Sequence, residues 1–173
     1  MSDVLAPSTK APDFARSSED LHKTLDAQVK EGKPSFFRLK AQLPKLGRTN
    51  VPMAASKNMW VVLKTYAQDG ENELHAHPNE DHTFVILQGR GSFRGPNGEE
   101  KTIGRNEGVL LPHGTFYWFK AVGDEPLVLL RIGCAANDGA THRGRINIDG
   151  KPMKGDSAEN KTVTRVMTDQ WFE

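Results

Sequence analysis

The spacing of apolar positions changes around residue 35. Before it, Leu21, Leu25 and Val29 recur every fourth position and make one stripe of a helix. Ser17 stands where an N-cap belongs, Asp20 is placed for a capping-box contact, and Gly32 followed by Pro34 ends the stripe. After it, short β-branched and aromatic runs take over: "SFFRL", "NMWVVLKTYA", "TFVILQ", "GVLLP", "TFYWFKAV" and "PLVLLRI". Glycines punctuate these runs, and "GPNGEE" reads as a hairpin tip. Many short strands with frequent turn signals predict an all-β sandwich or barrel. Several runs are apolar without strict alternation, the pattern of strands covered on both faces, as in a double-sheet jelly roll.

This divides the chain into an arm with a short helix (1–34), a β-barrel (35–134) and a polar extension (135–173). Residues 1–16 mix Pro, Ser, Asp and Ala without periodicity and read as a mobile arm. The extension opens with "AANDGATHRGRINIDGKPMKGDSAENK", expected to be a surface wrap, a lid or an arm that pairs with a second subunit. It ends in "TVTRVMTDQWFE", which has strand character and a Trp171–Phe172 pair to dock it. No internal repeat is visible, which argues against a duplicated barrel.

Composition narrows the function classes. A chain of 173 residues can bury a real core. The formal charge of +1 argues against a general role on nucleic acid or a membrane surface, which needs a concentrated positive field. No run approaches the length of a membrane-spanning helix, and the first residues lack the apolar core of a secretory signal. A single cysteine, Cys134, rules out an internal disulfide. The expectation is a cytoplasmic protein.

Three of the six histidines fall in "HAHPNEDH", residues 75–82. On a strand, His75 and His77 point to one face. Past the turn at Pro78–Asn79, His82, Phe84, Ile86 and Gln88 share a face of the next strand. If that face is inward, three imidazoles converge from two strands at the distances of a transition-metal site. The alternative is a solvated His-rich turn, which the polar "PNED" favours.

Here the sequence resembles the cupin family, over roughly residues 58–133. "GENELHAHPNEDHTFVILQG" (70–89) is similar to its first motif, Gly, His-x-His, an acidic residue and a closing Gly. "NEGVLLPHGTFYWF" (106–119) is similar to its second, Pro-x-Gly-x-x-His. The resemblance implies a double-stranded β-helix, a metal, a small-molecule substrate and pairing into a homodimer. Two positions depart from it. His82 stands where the carboxylate ligand is usual, with Asp81 and Glu80 just before it to serve if the strand bulges. Tyr117 stands where the later histidine is usual.

The implied ligands are then His75, His77 and His82, with Tyr117 as a ligand or, preferably, a protonated group that orients substrate or acts as acid/base. One divalent transition metal is expected, Fe(II) first because a His-rich site with open positions suits O₂ and substrate together, with Zn, Mn or Ni as alternatives. Phe84, Ile86 and Phe119 are expected to line an apolar pocket, and Gln88 to contact substrate. Lys64, Arg38 and Arg131 interrupt apolar strands, and a snorkelling surface role is the default for each. Arg131, within "LVLLRIG", is the candidate to select a carboxylate. The leading expectation is a non-haem iron dioxygenase acting on a small aromatic or carboxylated molecule. The alternatives are a Lewis-acid lyase, isomerase or cyclase, and a non-catalytic binding protein.

Overall fold

The structure is a computed structural model that describes residues 13–136 and 144–173. Helix α1 (Ser18–Glu31) starts where expected: the Ser17 side chain accepts from Asp20 N at 3.1 Å, and Asp20 reaches back to Arg16 N. Gly32 ends it with φ 62°, the left-handed conformation that only glycine adopts without strain. The helix buries Leu21 and Leu25 with Ala15, Trp60 and Val62. Of the expected arm, only residues 13–16 are described, and these are docked: Ala15 N bonds Asn50 O, and Arg165 donates to the Ala15 and Arg16 carbonyls.

Ten strands follow: β1 (Ala41–Leu46), β2 (Arg48–Ala55), β3 (Met59–Tyr66), β4 (Glu80–Gln88), β5 (Arg90–Arg94), β6 (Glu100–Gly104), β7 (Gly108–Leu111), β8 (Trp118–Val122), β9 (Leu127–Ala135) and β10 (Val166–Phe172). They form an antiparallel jelly roll. One sheet has the order β2-β3-β9-β4-β7, the facing one β6-β5-β8, and β1 pairs with β10. Bridges Glu71↔Lys120 and His75↔Tyr117 lay residues 71–77 beside β8 and extend the smaller sheet. The "GPNG" turn joins β5 to β6 as a hairpin tip.

Two expected elements shift. "SFFRL" is not a strand: it pairs with no strand among the described residues, Phe36 and Phe37 are exposed, and pairing begins only at Ala41. In the run "TFYWFKAV" the regular strand starts at Trp118.

The five-stranded sheet is covered on both faces, which explains its unbroken apolar runs. Its outer face packs Val51, Met53, Leu63 and Val128 against Ala41 and Leu43 of β1, with Phe172 of β10 alongside. Its inner face turns toward the smaller sheet, where Tyr66, Phe84, Ile86, Phe93, Phe119, Leu127 and Leu129 form the barrel core. At the helix end, Gly133 has no room for a side chain, since a Cβ would lie 2.1 Å from the Trp60 indole nitrogen. The strands can therefore close over Trp60 only with glycine at that position.

Candidate functional site

Strand alternation builds the site. On β4, Glu80, His82, Phe84 and Ile86 point inward and Asp81 points out. The register of β4 against β9 is regular from Glu80 to Ile86, so no bulge brings Asp81 in. Asp81 instead accepts from His113 N at 2.7 Å and from His113 Nδ1 at 3.0 Å on the surface. His75 and His77 enter from the segment beside β8, with the intervening Ala76 bridged to Ile146. All three imidazoles and Glu80 are buried.

The inward groups form one connected cluster. His82 Nε2 lies 2.6 Å from Glu80 Oε2, His77 Nδ1 lies 3.3 Å from it and Arg131 Nη2 3.1 Å. Read as a hydrogen-bond network, Tyr117 donates its hydroxyl proton to His82 Nδ1 at 3.3 Å, His82 Nε2–H donates to Glu80, and Arg131 donates to the same oxygen. His75 Nδ1 donates to Glu73 O at 2.6 Å and His77 Nδ1 to Gly144 O at 2.8 Å. Those bonds fix both rings and leave each Nε2 lone pair unclaimed.

The protonation states follow from burial. Desolvation first, then nearby guanidinium charge, holds His75, His77 and His82 well below the usual histidine range, so all three are neutral. Burial alone would raise Glu80, but its bond from His82 and the Arg131 charge outweigh that and keep it ionised. Desolvation raises the Tyr117 phenol, which keeps its proton.

The donor set fits a metal ion. His77, Glu80 and His82 offer ligand atoms that all lie within 4.8 Å of one another. Glu80 Oε1 is buried without a hydrogen-bond partner among the described residues, an orphaned acceptor of the kind a cation satisfies. A carboxylate flanked by neutral imidazoles suits a divalent transition metal. His75 stands next to this triad, its ring centroid 5.1 Å from that of His77.

Above the cluster opens a cavity of about 540 Å³ lined by His75, His77 and Tyr117 and by five basic residues, Arg48, Lys64, Arg131 and Arg145, with Lys154 exposed at the rim. Lys64 and Arg48 come from the inner rows of β3 and β2, in register with Asn50 and Tyr66 respectively. Arg145 is delivered by the C-terminal extension, which crosses the barrel mouth through bridges Ala76↔Ile146 and Ile146↔Pro152. Arg48 fastens this strap: its guanidinium donates to Glu71 O, Gly155 O, Asn160 O and Thr162 Oγ1. Burial, then the Arg131 charge, pushes the Lys64 ammonium well below its usual range, and burial brings Arg145 down to about 10.

The expected residues are thus sorted by position. His75, His77, His82, Tyr117 and Arg131 come together. Phe84, Ile86 and Phe119 lie in the core beneath the cavity rather than on its wall, with Phe84 edge-on to His82 at 5.9 Å. Gln88 is away from the site, because the register shift after Ile86 turns it to donate to Pro126 O. Arg131 is taken up by Glu80 instead of standing free for a substrate carboxylate. Lys64 is buried and inward, not snorkelling, while Arg38 is exposed. Glu80 enters without a bulge, by plain alternation from His82. Arg48 and Arg145 were not expected. Alternation along "RTN" on β2 could have pointed to Arg48, but nothing in the polar extension marks Arg145.

The sequence model described as the Cupin domain matches residues 62–133. No curated protein matches the chain. Among solved structures, it is similar to the cupin domain of Schizosaccharomyces pombe Cnp3, at 15% identity and TM-score 0.49 over 53% of this chain and 67% of that one. An uncharacterized Klebsiella pneumoniae protein with a double-stranded β-helix domain is 18% identical, TM-score 0.49, over 66% of this chain and 84% of that one. A cupin-like protein of Thermotoga maritima is 16% identical, TM-score 0.49, over 58% and 81%.

Proposed function

The chain belongs to the cupin family through residues 62–133, and from that premise we propose that it is a metal-dependent oxygenase of small organic molecules. His77, Glu80 and His82 hold one divalent metal, Fe(II) by preference, and the protein works as a cytoplasmic homodimer. The carrying observation is the buried triad itself. Two histidines and one carboxylate are the ligand set of non-haem Fe(II) oxygenases, and His77 of this triad lines the cavity. The single carboxylate also balances part of the metal charge, which a set of three imidazoles would leave uncompensated.

Bound there, Fe(II) would supply an open coordination position for O₂ and substrate together and the redox capacity for oxygenation. The chain's own residues do the rest. The Glu73 and Gly144 carbonyls fix the His75 and His77 rings. Tyr117 keeps its proton at the hydroxyl and stands between His82 and the cavity, placed to orient a substrate oxygen. The strap narrows the mouth and keeps bulk water from the buried groups.

Elemental analysis of the purified protein, followed by O₂-uptake assays of the iron-loaded form with phenolics, diketones and organic acids, tests this. About one metal per chain with substrate-dependent O₂ uptake supports it. Turnover that continues without O₂ would transfer the site to Lewis-acid lyase, isomerase or cyclase chemistry with Zn, Mn or Ni. Protein without metal, and unchanged by His77→Ala, would make it a non-catalytic binding protein. Light scattering of the eluting protein checks the dimer.

A further inference from the structure

The basic residues of the cavity are unevenly compensated. Arg131 has Glu80, and Arg48 has three carbonyls and a hydroxyl of the strap and its surroundings. Among the described residues, Lys64 and Arg145 have neither. Lys64 is 8% exposed, and its ammonium lies over the rings of Tyr66 at 5.3 Å and Phe119 at 6.0 Å, with no hydrogen-bond or ion-pair acceptor among the described residues. The Arg145 guanidinium likewise has no such acceptor among them. Both side chains line the same cavity. Its acidic wall residues besides this cluster, Glu19 and Asp156, are exposed at the rim, and Asp156 is already bonded to Ser18 N at 2.9 Å.

A buried cation without an acceptor is costly, and two in one cavity repel each other. A protein that keeps both has an anion for them. The planar fork of Arg and the compact charge of Lys are a common pair for carboxylate or phosphate oxygens.

We infer that the cavity binds a small organic anion whose carboxylate or phosphate group seats between Lys64 of the barrel and Arg145 of the strap. This makes the C-terminal extension part of the substrate site. It rests on the cavity being the substrate site and deepens that reading. It assigns anion recognition to Lys64 and Arg145, leaving Arg131 with the acid of the metal cluster. The depressed Lys64 ammonium agrees with it, since an anion would restore the charge that burial and the neighbouring guanidiniums oppose.

The test is calorimetric titration of the full-length protein, stripped of metal by a chelator, with succinate, glycerol 3-phosphate and xylitol. One or both anions are expected to bind, and the neutral polyol not. Which anion binds distinguishes a carboxylate from a phosphate ligand. Lys64→Gln and Arg145→Gln should each raise Kd about tenfold or more. Without ligand, both variants should melt at or above the wild-type temperature, because each removes an unpartnered charge; a merely structural role would lower it. Should Lys64→Gln fail to fold, Arg145→Gln alone decides. Xylitol binding as well as the anions, no binding by any of the three, or wild-type affinity in the folded variants would overturn the inference. Since the titrations contain no metal, failure of the metal proposal would leave this result standing, and the reverse also holds.

Discussion

The two sides of the cavity are built on opposite electrostatic plans. On the barrel floor, His77, Glu80, His82, Tyr117 and Arg131 are linked at 2.6–3.3 Å, with one carboxylate against one guanidinium and Glu80 Oε1 left over for a cation. Toward the mouth, Lys64 and Arg145 have no ion-pair partner among the described residues. A cluster so linked holds its geometry with nothing bound, which is what metal ligands need. An uncompensated pair stores its binding energy for a ligand that brings the missing charge. The same low dielectric that makes the first arrangement rigid makes the second selective.

That contrast breaks most visibly at Glu80. Glu80→Gln leaves the Arg131 charge buried without a counter-ion, and removing one partner of a buried pair costs about 3–5 kcal/mol. Urea unfolding of the metal-free variant measures it. A loss no larger than that of a surface mutation would mean that the floor is not held by this pair. The next effect separates ligands from neighbours. His77→Ala should weaken metal binding about 100-fold, and His75→Ala, beside the triad, only about tenfold. Competition with a fluorescent chelator reads both, and equal losses would promote His75 to a full ligand.

The floor and the mouth also differ in how far the sequence reveals them. The floor follows from period-2 alternation: once His82 faces inward, Phe84 and Ile86 follow on one side and Glu80 on the other. Whether His82 or one of Asp81 and Glu80 is the third ligand stayed open in the sequence, because a bulge shifts register by one residue; the regular β4–β9 register turns Glu80 inward with His82 and leaves Asp81 outside. Arg131 was legible as a cation in an apolar run, its partner was not. Strands β1 and β2 escaped notice because Pro44 and Pro52 sit inside them, residues tolerated only where pairing is irregular, and both strands show register shifts there. Arg145 was out of reach: the strap has no regular strand of its own, and its position depends on carbonyls gathered by Arg48 from distant parts of the chain.

Acid should expose the floor's dependence on neutral imidazoles. His75, His77 and His82 are depressed in the fold, so above the ordinary histidine pKa of about 6.5 neither state carries their protons and they cost nothing. As pH falls below that value the unfolded chain takes protons that the fold refuses. Stability then declines by up to about 1.4 kcal/mol per pH unit for each histidine, until the depressed values are reached. Unfolding free energies of the metal-free protein between neutral pH and about pH 5 measure the slope. It should lessen in His82→Asn, and a flat profile would contradict three neutral buried rings.

The smallest expected effect is the sharpest test of which acid belongs to the site. Asp81 and Glu80 are adjacent, and both are held low by a histidine or its backbone, yet one is on the surface and the other at the centre. The Asp81 carboxylate bonds His113, at the exposed turn before β8. Asp81→Asn keeps an acceptor for the His113 backbone and alters only an exposed contact, so stability should change by about 0.5 kcal/mol or less. Metal content and metal affinity should be unchanged, against the collapse expected in Glu80→Gln. Loss of metal in Asp81→Asn would show that β4 shifts by one residue when the site is loaded, and would reverse the roles of the two carboxylates.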